Sequence, residues 1–246
     1  MSVLKTPAKT MTLTLRVFAH LLSYPDAALR QHLPELRTAL HDEAAIGGAR
    51  LAELDQFIAH LRGARAMDTE ATYVEVFDRG RGTALHLFEH VHGDSRDRGP
   101  AMIDLIKTYE QAGLQLNPAE LPDHLAVVLQ YASTQPWAEA RQLLSEIAHV
   151  LQAIFSALQR RESAYACVLA GLLELAGEKA QAVSVPADDD LDEAWEEPLA
   201  FDGCSIQGQA TPSAVTKPAI STTQPQVVTI AAWQANTEST QRGGLL

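Results

Sequence analysis

Along residues 1–180, apolar positions recur every three or four residues, the spacing of an amphipathic helix. Leu15, Phe18 and Leu22 share a face with Leu21 beside them. Ser23-Tyr24-Pro25-Asp26 ends that helix, since a residue before proline is biased away from the α region. Asp26 is placed to cap the next helix, which carries Leu29, Leu33, Leu36 and Leu40 and which Pro34 is expected to kink or split. Gly47-Gly48 reads as a hinge before Leu51, Leu54, Ile58 and Leu61. Asp68 or Thr69 is the expected cap of a short helix that enters the stretch from Tyr73 to Met102. Past it, Met102, Leu105, Ile106 and Tyr109 form a stripe that Gly113 ends as a C′ residue. Leu121-Pro122-Asp123 opens the helix of Leu125, Val128, Leu129 and Ala132. Gln135-Pro136 opens what reads as the longest helix, through Leu144, Ile147, Leu151, Ile154, Phe155 and Leu158. After Arg160-Arg161-Glu162-Ser163, a last helix carries Tyr165, Leu169, Leu172, Leu173 and Ala176, and Gly177 closes it. No internal repeat or sustained heptad is present.

From Gln181 the pattern stops. Asp188-Asp189-Asp190, Asp192, Glu193, Glu196 and Glu197 form an acidic run, and Ser, Thr, Gln and Pro dominate after Gly203. Such a segment buries too little apolar surface to offset its ordering entropy, so residues 181–246 are expected to be mostly disordered. Two apolar islands interrupt it: Trp195 with Leu199 and Phe201, and Val227-Val228 with Ile230 and Trp233.

Composition sharpens this picture. The chain is 46% hydrophobic, rich in Leu and Ala and poor in β-branched runs, which favours an all-α fold. A formal net charge of −12 argues against a nucleic-acid partner, which calls for a basic patch. The start of the chain lacks the uninterrupted apolar core of a signal peptide. Ala164 to Ala176 is too short to span a bilayer and contains Glu174. Two cysteines, Cys167 and Cys204, supply neither a disulfide framework nor a metal quartet. The expectation is one cytoplasmic helical domain, residues 1–180, with a tail.

Chemistry concentrates between Tyr73 and Met102. Tyr73 and Phe77 stand at i, i+4, so a helix puts both rings on one face. Gly80 and Gly82 break that helix and permit positive φ. His86 and His90, at i, i+4, with Glu89 and His92 nearby, could hold a divalent metal if the run is helical. The order differs from H-E-x-x-H and no cysteine is near, which favours histidines hydrogen-bonded within a packed groove. Asp78, Arg79, Arg81, Asp94, Arg96, Asp97 and Arg98 read as Arg–carboxylate pairs pinning two loops, or as the polar rim of a site. Tyr73, Phe77, Leu85, Leu87 and Phe88 are core, or line a groove for an amphipathic guest helix. The phosphate-loop, dinucleotide and nucleophile-elbow signatures of enzymes are missing.

The blocks FDRGR, LHLFEHVHGDSRDRG, YEQAGL and LPDHL resemble the NarJ/NarW family, the delta-subunit assembly chaperones of respiratory nitrate reductase. The resemblance spans about the first two-thirds of the chain. It departs mildly at Ala84, where the family more often has Ser or Thr, and at Asp94, where it has Glu. It implies a single helical bundle of the TorD-like, molybdoenzyme-chaperone type. It further implies a non-enzymatic protein, without cofactor or metal of its own, that binds the N-terminal segment of the apo catalytic (alpha) subunit. That subunit is thereby kept competent to receive molybdenum cofactor and iron–sulfur cluster before membrane anchoring, with molybdenum-cofactor-loading proteins as further partners. The residues expected to bind the client are Tyr73, Phe77, Asp78, Arg79, Leu85, His86, Leu87, Phe88, Glu89, His90, His92, Asp97 and Arg98. The rivals are a chaperone for another molybdoenzyme, and a metal-dependent helical enzyme using His86 and His90.

Overall fold

The computed structural model describes residues 10–183 other than Asp94; the expectations for the tail beyond 183 and for the chain's first nine residues lie outside them. The all-α class holds. Ten α-helices are described: α1 (Thr12–Leu21), α2 (Ala27–Glu43), α3 (Gly48–Gly63), α4 (Ala66–Tyr73), α5 (Leu87–His92), α6 (Arg98–Gln111), α7 (Leu125–Thr134), α8 (Trp137–Glu146), α9 (Ala148–Arg160) and α10 (Ala166–Ala176). None of these is long and apolar enough to cross a membrane.

Helices α1 and α10 form the middle. α1 packs on α7 and α2, while α10 packs on α9, α8 and α3. Val168, Leu169, Ala170, Leu172, Leu173 and Leu175 are buried in α10, as a helix apolar nearly all round requires, and Glu174, its one charged residue, faces out. Gly171 lets α1 approach: a Cβ there would stand 2.7 Å from the Phe18 ring. Each such buried leucine contributes about 1.5–3 kcal/mol.

Local and long-range polar contacts finish the helix ends. Asp26 caps α2 as expected, its Oδ1 accepting the Leu29 N–H at 2.7 Å. α1 has no side-chain cap of its own; Glu43, at the end of α2, accepts the N–H groups of Leu13 (3.1 Å) and Thr14 (2.7 Å) instead. Partial burial raises the Glu43 pKa, but these hydrogen bonds outweigh it and the net shift is downward. Arg30 donates to the carbonyls of Leu61 (2.8 Å) and Ala64 (2.5 Å), placing a cation at the negative end of α3. α6 closes in a Schellman turn: Gly113 has φ 77°, and the Leu114 N–H reaches the Tyr109 carbonyl at 2.9 Å.

Three local expectations are corrected. Pro34 does not split α2, which runs unbroken from Ala27 to Glu43; burial of Leu29, Leu33 and Leu40 offsets the roughly 3 kcal/mol proline cost. The expected longest helix is two helices that bend at Ile147, so that both α8 and α9 can lie against α10. Neither Asp68 nor Thr69 caps α4, which starts earlier, at Ala66. Asp68 pairs with Arg65 at 2.7 Å and the Thr69 hydroxyl donates to the Ala66 carbonyl.

Candidate functional site

Helix α4 does not stop at Tyr73. It continues into a π-helical turn, Val74–Asp78, which the Arg79 N–H closes on the Val74 carbonyl at 3.2 Å. Tyr73 and Phe77 do share a face, their ring centroids 4.9 Å apart. Tyr165, at the start of α10, packs edge-on 4.8 Å from Phe77, and Tyr24 lies 5.6 Å from Tyr73. The Tyr73 hydroxyl donates to the Leu22 carbonyl at 2.9 Å, tying this aromatic wall to the end of α1.

The glycines end the helix as expected, and Gly80, at φ −104°, does not use the positive φ that glycine permits. What Gly80 supplies is room. A Cβ there would stand 2.8 Å from Arg161 Nη2 and 2.9 Å from the Val76 carbonyl oxygen, and would overlap the Thr83 hydroxyl. Buried Thr83 donates to that same Val76 carbonyl, folding the 3-10 turn Arg81–Thr83 back on the π turn.

Next the chain pairs with a distant block. His86 and His124 form an isolated antiparallel bridge: the Leu87 N–H reaches the Asp123 carbonyl (3.0 Å) and the Leu125 N–H the Leu85 carbonyl (2.8 Å). Asp123, with its side chain 0% exposed, accepts the Phe88 N–H at 3.2 Å and so caps α5 across the bridge. Around this carboxylate stand His86 Nδ1 at 3.6 Å and Arg98 Nη2 at 3.8 Å, ion-pair rather than hydrogen-bond distances.

Between the π turn and the bridge opens a cavity of about 280 Å³. Tyr73, Phe77, Ala84 and Leu85 line it, with Asp78, Arg79, Gly80, Arg81, His86, Glu89 and His124. It is the size of one large side chain and lies at the low end of ligand pockets. Seven expected residues are thus brought together: Tyr73, Phe77, Asp78, Arg79, Leu85, His86 and Glu89. The others stand off it. Leu87 is buried in the core. Half-buried Phe88 packs edge-on to His92 at 5.5 Å, and His90 Nε2–H donates to the Ala84 carbonyl at 2.8 Å. Asp97 turns back to the Ser95 hydroxyl, and Arg98 reaches Glu89 at 3.3 Å. His86 precedes α5 and does not share its face with His90. Among the described residues no three His, Cys, Asp or Glu side chains are placed to hold a metal ion.

Sequence reasoning missed Asp123 and His124. Their only signal was the LPDHL block, and its pairing partner lies 38 positions away along the chain. In the charge cluster, Arg79 pairs with Glu75 one turn back (3.2 Å) and Arg98 reaches Glu89 and Asp123, so these two arginines are held by carboxylates outside the cluster.

The two bridged histidines are driven apart electrostatically. The Asp123 carboxylate raises the His86 pKa, outweighing partial burial. His124 is pushed down to about 4, by burial first and by the neighbouring His86 charge second. Neutral His124 therefore keeps Nδ1 free to accept the Ala126 N–H (3.3 Å) and cap α7, while its ring meets His86 edge-on at 5.1 Å. Burial raises Asp123, but the contacts with His86 and the Phe88 N–H prevail and lower it overall.

The site is thus an aromatic-walled, charge-rimmed cavity, sized for one side chain, in an all-α body. The chain belongs to the nitrate reductase delta subunit family, which matches residues 24–170. It is 44% identical over 191 residues to the nitrate reductase molybdenum cofactor assembly chaperone NarJ of Escherichia coli strain K12, covering 74% of this chain and 81% of that one. It is 38% identical over 193 residues to a protein of the same strain named as the probable chaperone NarW, covering 74% and 80%. A crystal structure described as a redox enzyme maturation protein from Archaeoglobus fulgidus superposes with a TM-score of 0.54 at 19% identity, covering 72% of this chain and all of that one, a likeness of fold.

Proposed function

We propose that this chain is an assembly chaperone for a nitrate reductase. It binds the N-terminal segment of the apo catalytic subunit in the cytoplasm and keeps that subunit competent for molybdenum cofactor and iron–sulfur insertion. It then departs before the finished enzyme is anchored. The reading is supported by the side-chain-sized aromatic cavity with its charged rim, in a chain whose relatives include proteins named as nitrate reductase molybdenum cofactor assembly chaperones.

Tyr73, Phe77 and Leu85 receive one apolar anchor of a guest helix, while Asp78 and Glu89 on the rim attract its basic side chains. Phe88 and His92 form the outer shoulder, with Arg98 holding Glu89 in place. A single anchor in a small cavity suits reversible capture, and micromolar to submicromolar affinity is expected, about −8 to −9 kcal/mol. His86 carries a charge below its raised pKa and loses it above. A basic guest should therefore bind more tightly as pH rises between about pH 5 and 8, and a flat profile would count against His86 at the rim. The test is a calorimetric titration with a peptide matching the first fifteen or so residues of the catalytic subunit, about the length of a short docked helix. Saturable one-to-one binding is the expected result; none, from folded protein, would remove the reading.

A further inference from the structure

The two bridged histidines turn the same atom inward. His86 Nδ1 is buried 3.6 Å from Asp123 Oδ1, while the side chain is 31% exposed and lines the cavity, so Nε2 lies on its open side. In His124, Nδ1 accepts the Ala126 N–H, so the ring proton sits on Nε2, and this ring lines the cavity too. Among the described residues nothing accepts from either Nε2, and the ring centroids are 5.1 Å apart. Asp123 holds the first ring in this pose. Its fully buried Oδ1 has no hydrogen-bond partner among the described residues and faces Nδ1 as a charge.

Neighbouring imidazole nitrogens beside the aromatic wall of Tyr73 and Phe77 suit the two oxygens of a carboxylate. We propose that the bridge wall is a carboxylate subsite, in which His86 and His124 each donate Nε2–H and the apolar part of the ligand rests on Tyr73 and Phe77. In a client the group would be an Asp or Glu side chain beside the apolar anchor. That step rests on the client-binding reading given above; the subsite itself does not.

His86 makes one of the donors conditional. Charged, it donates from both nitrogens. Neutral, its proton stays on Nδ1 facing Asp123, and Nε2 becomes an acceptor that repels a carboxylate. Asp123, Glu89 and Arg98 act on its charge, His124 meets it edge-on, and Asp78, Arg79 and Arg81 share the cavity lining.

Phenylacetate is the probe, with phenylacetamide and phenethylamine as its neutral and cationic counterparts. Long-range proton–nitrogen NMR of the isotope-labelled full chain reads the imidazole nitrogens directly. Without probe, His124 should show the Nε2–H tautomer. At about pH 5.5, phenylacetate should shift both Nε2 resonances saturably and bind about tenfold tighter than phenylacetamide, an advantage that fades by about pH 8. His86→Asn and His124→Asn keep a group facing Asp123 or the Ala126 N–H but lack Nε2, and each should weaken phenylacetate about tenfold. A purely structural role would change the melting temperature without removing the preference for the carboxylate. Should a variant misfold, the Nε2 shifts of the parent decide. An Nδ1–H tautomer at His124, unshifted Nε2 resonances, or binding of phenylacetamide or phenethylamine as tight as phenylacetate would overturn the proposal. Saturable client-peptide binding in that case would leave the client reading standing and remove the subsite alone.

Discussion

Helix α10 and the segment from Tyr73 to His92 are both packed tightly, but they become ordered by different means. α10 is held by area: apart from exposed Glu174 its side chains are apolar, and its neighbours supply matching stripes. The Tyr73–His92 segment is held by specific polar links: Tyr73 to Leu22 and His86 with Phe88 to Asp123 reach distant positions, and Thr83 ties back to Val76 within the segment. Apolar packing tolerates volume-conserving exchange, though not truncation. A buried polar link does not, because losing one partner leaves the other unsatisfied. The difference separates scaffold from site, and substitutions can test it.

The largest loss of stability is expected in the scaffold. Leu169→Ala should cost about 2–5 kcal/mol in denaturant unfolding while leaving peptide affinity in the folded fraction unchanged. Asp123→Asn should cost about 2 kcal/mol, since it keeps an acceptor for the Phe88 N–H but removes the charge facing His86 and Arg98. Unlike the leucine change, it should also lower the His86 pKa, read from imidazole NMR shifts against pH. Gly80→Ala should cost about 1–3 kcal/mol by overpacking against the Val76 carbonyl, although its φ is ordinary.

Glu43→Gln is the smallest of the set, about 1 kcal/mol, as for loss of a helix cap. Its sign with pH is fixed. The folded-state pKa of Glu43 is lowered, so its contribution is present above the unfolded carboxylate range and fades as pH falls through the folded value. The variant and parent should therefore converge in strong acid. His86 behaves oppositely: its folded-state pKa is raised, so its contribution is complete below the ordinary histidine range and is lost as pH rises through the folded value. Thermal melts from acid to mildly alkaline pH should separate the two.

Most of the scaffold was legible because helical period is a local signal. Asp26 as a cap, Gly113 as a C′ residue and the leucine stripes of α2 and α3 all lie within a few residues of what they act on. The misreadings have tertiary causes. Pro34 stays helical because burial outweighs its local cost, and Ile147 bends the chain because α10 must be covered by two helices. Gly80 is a spacing requirement of Arg161 and Val76, which no local pattern encodes. The aromatic wall was visible in the Tyr73–Phe77 spacing. The other wall was not, since His124 joins the cavity only through pairing with His86.

The central claim is that the cavity bounded by Phe77 and His124 is where a client segment is held. The most direct measurement is calorimetric titration of the full chain and of Arg79→Glu and Glu89→Gln with the catalytic-subunit N-terminal peptide. Both positions are exposed on the rim, so stability should change by no more than about 0.5 kcal/mol. Saturable one-to-one binding by the parent, strengthened for a basic peptide by Arg79→Glu and weakened by Glu89→Gln, is the expected result. Equal affinity in all three folded proteins would contradict it and move the client site elsewhere on the molecule.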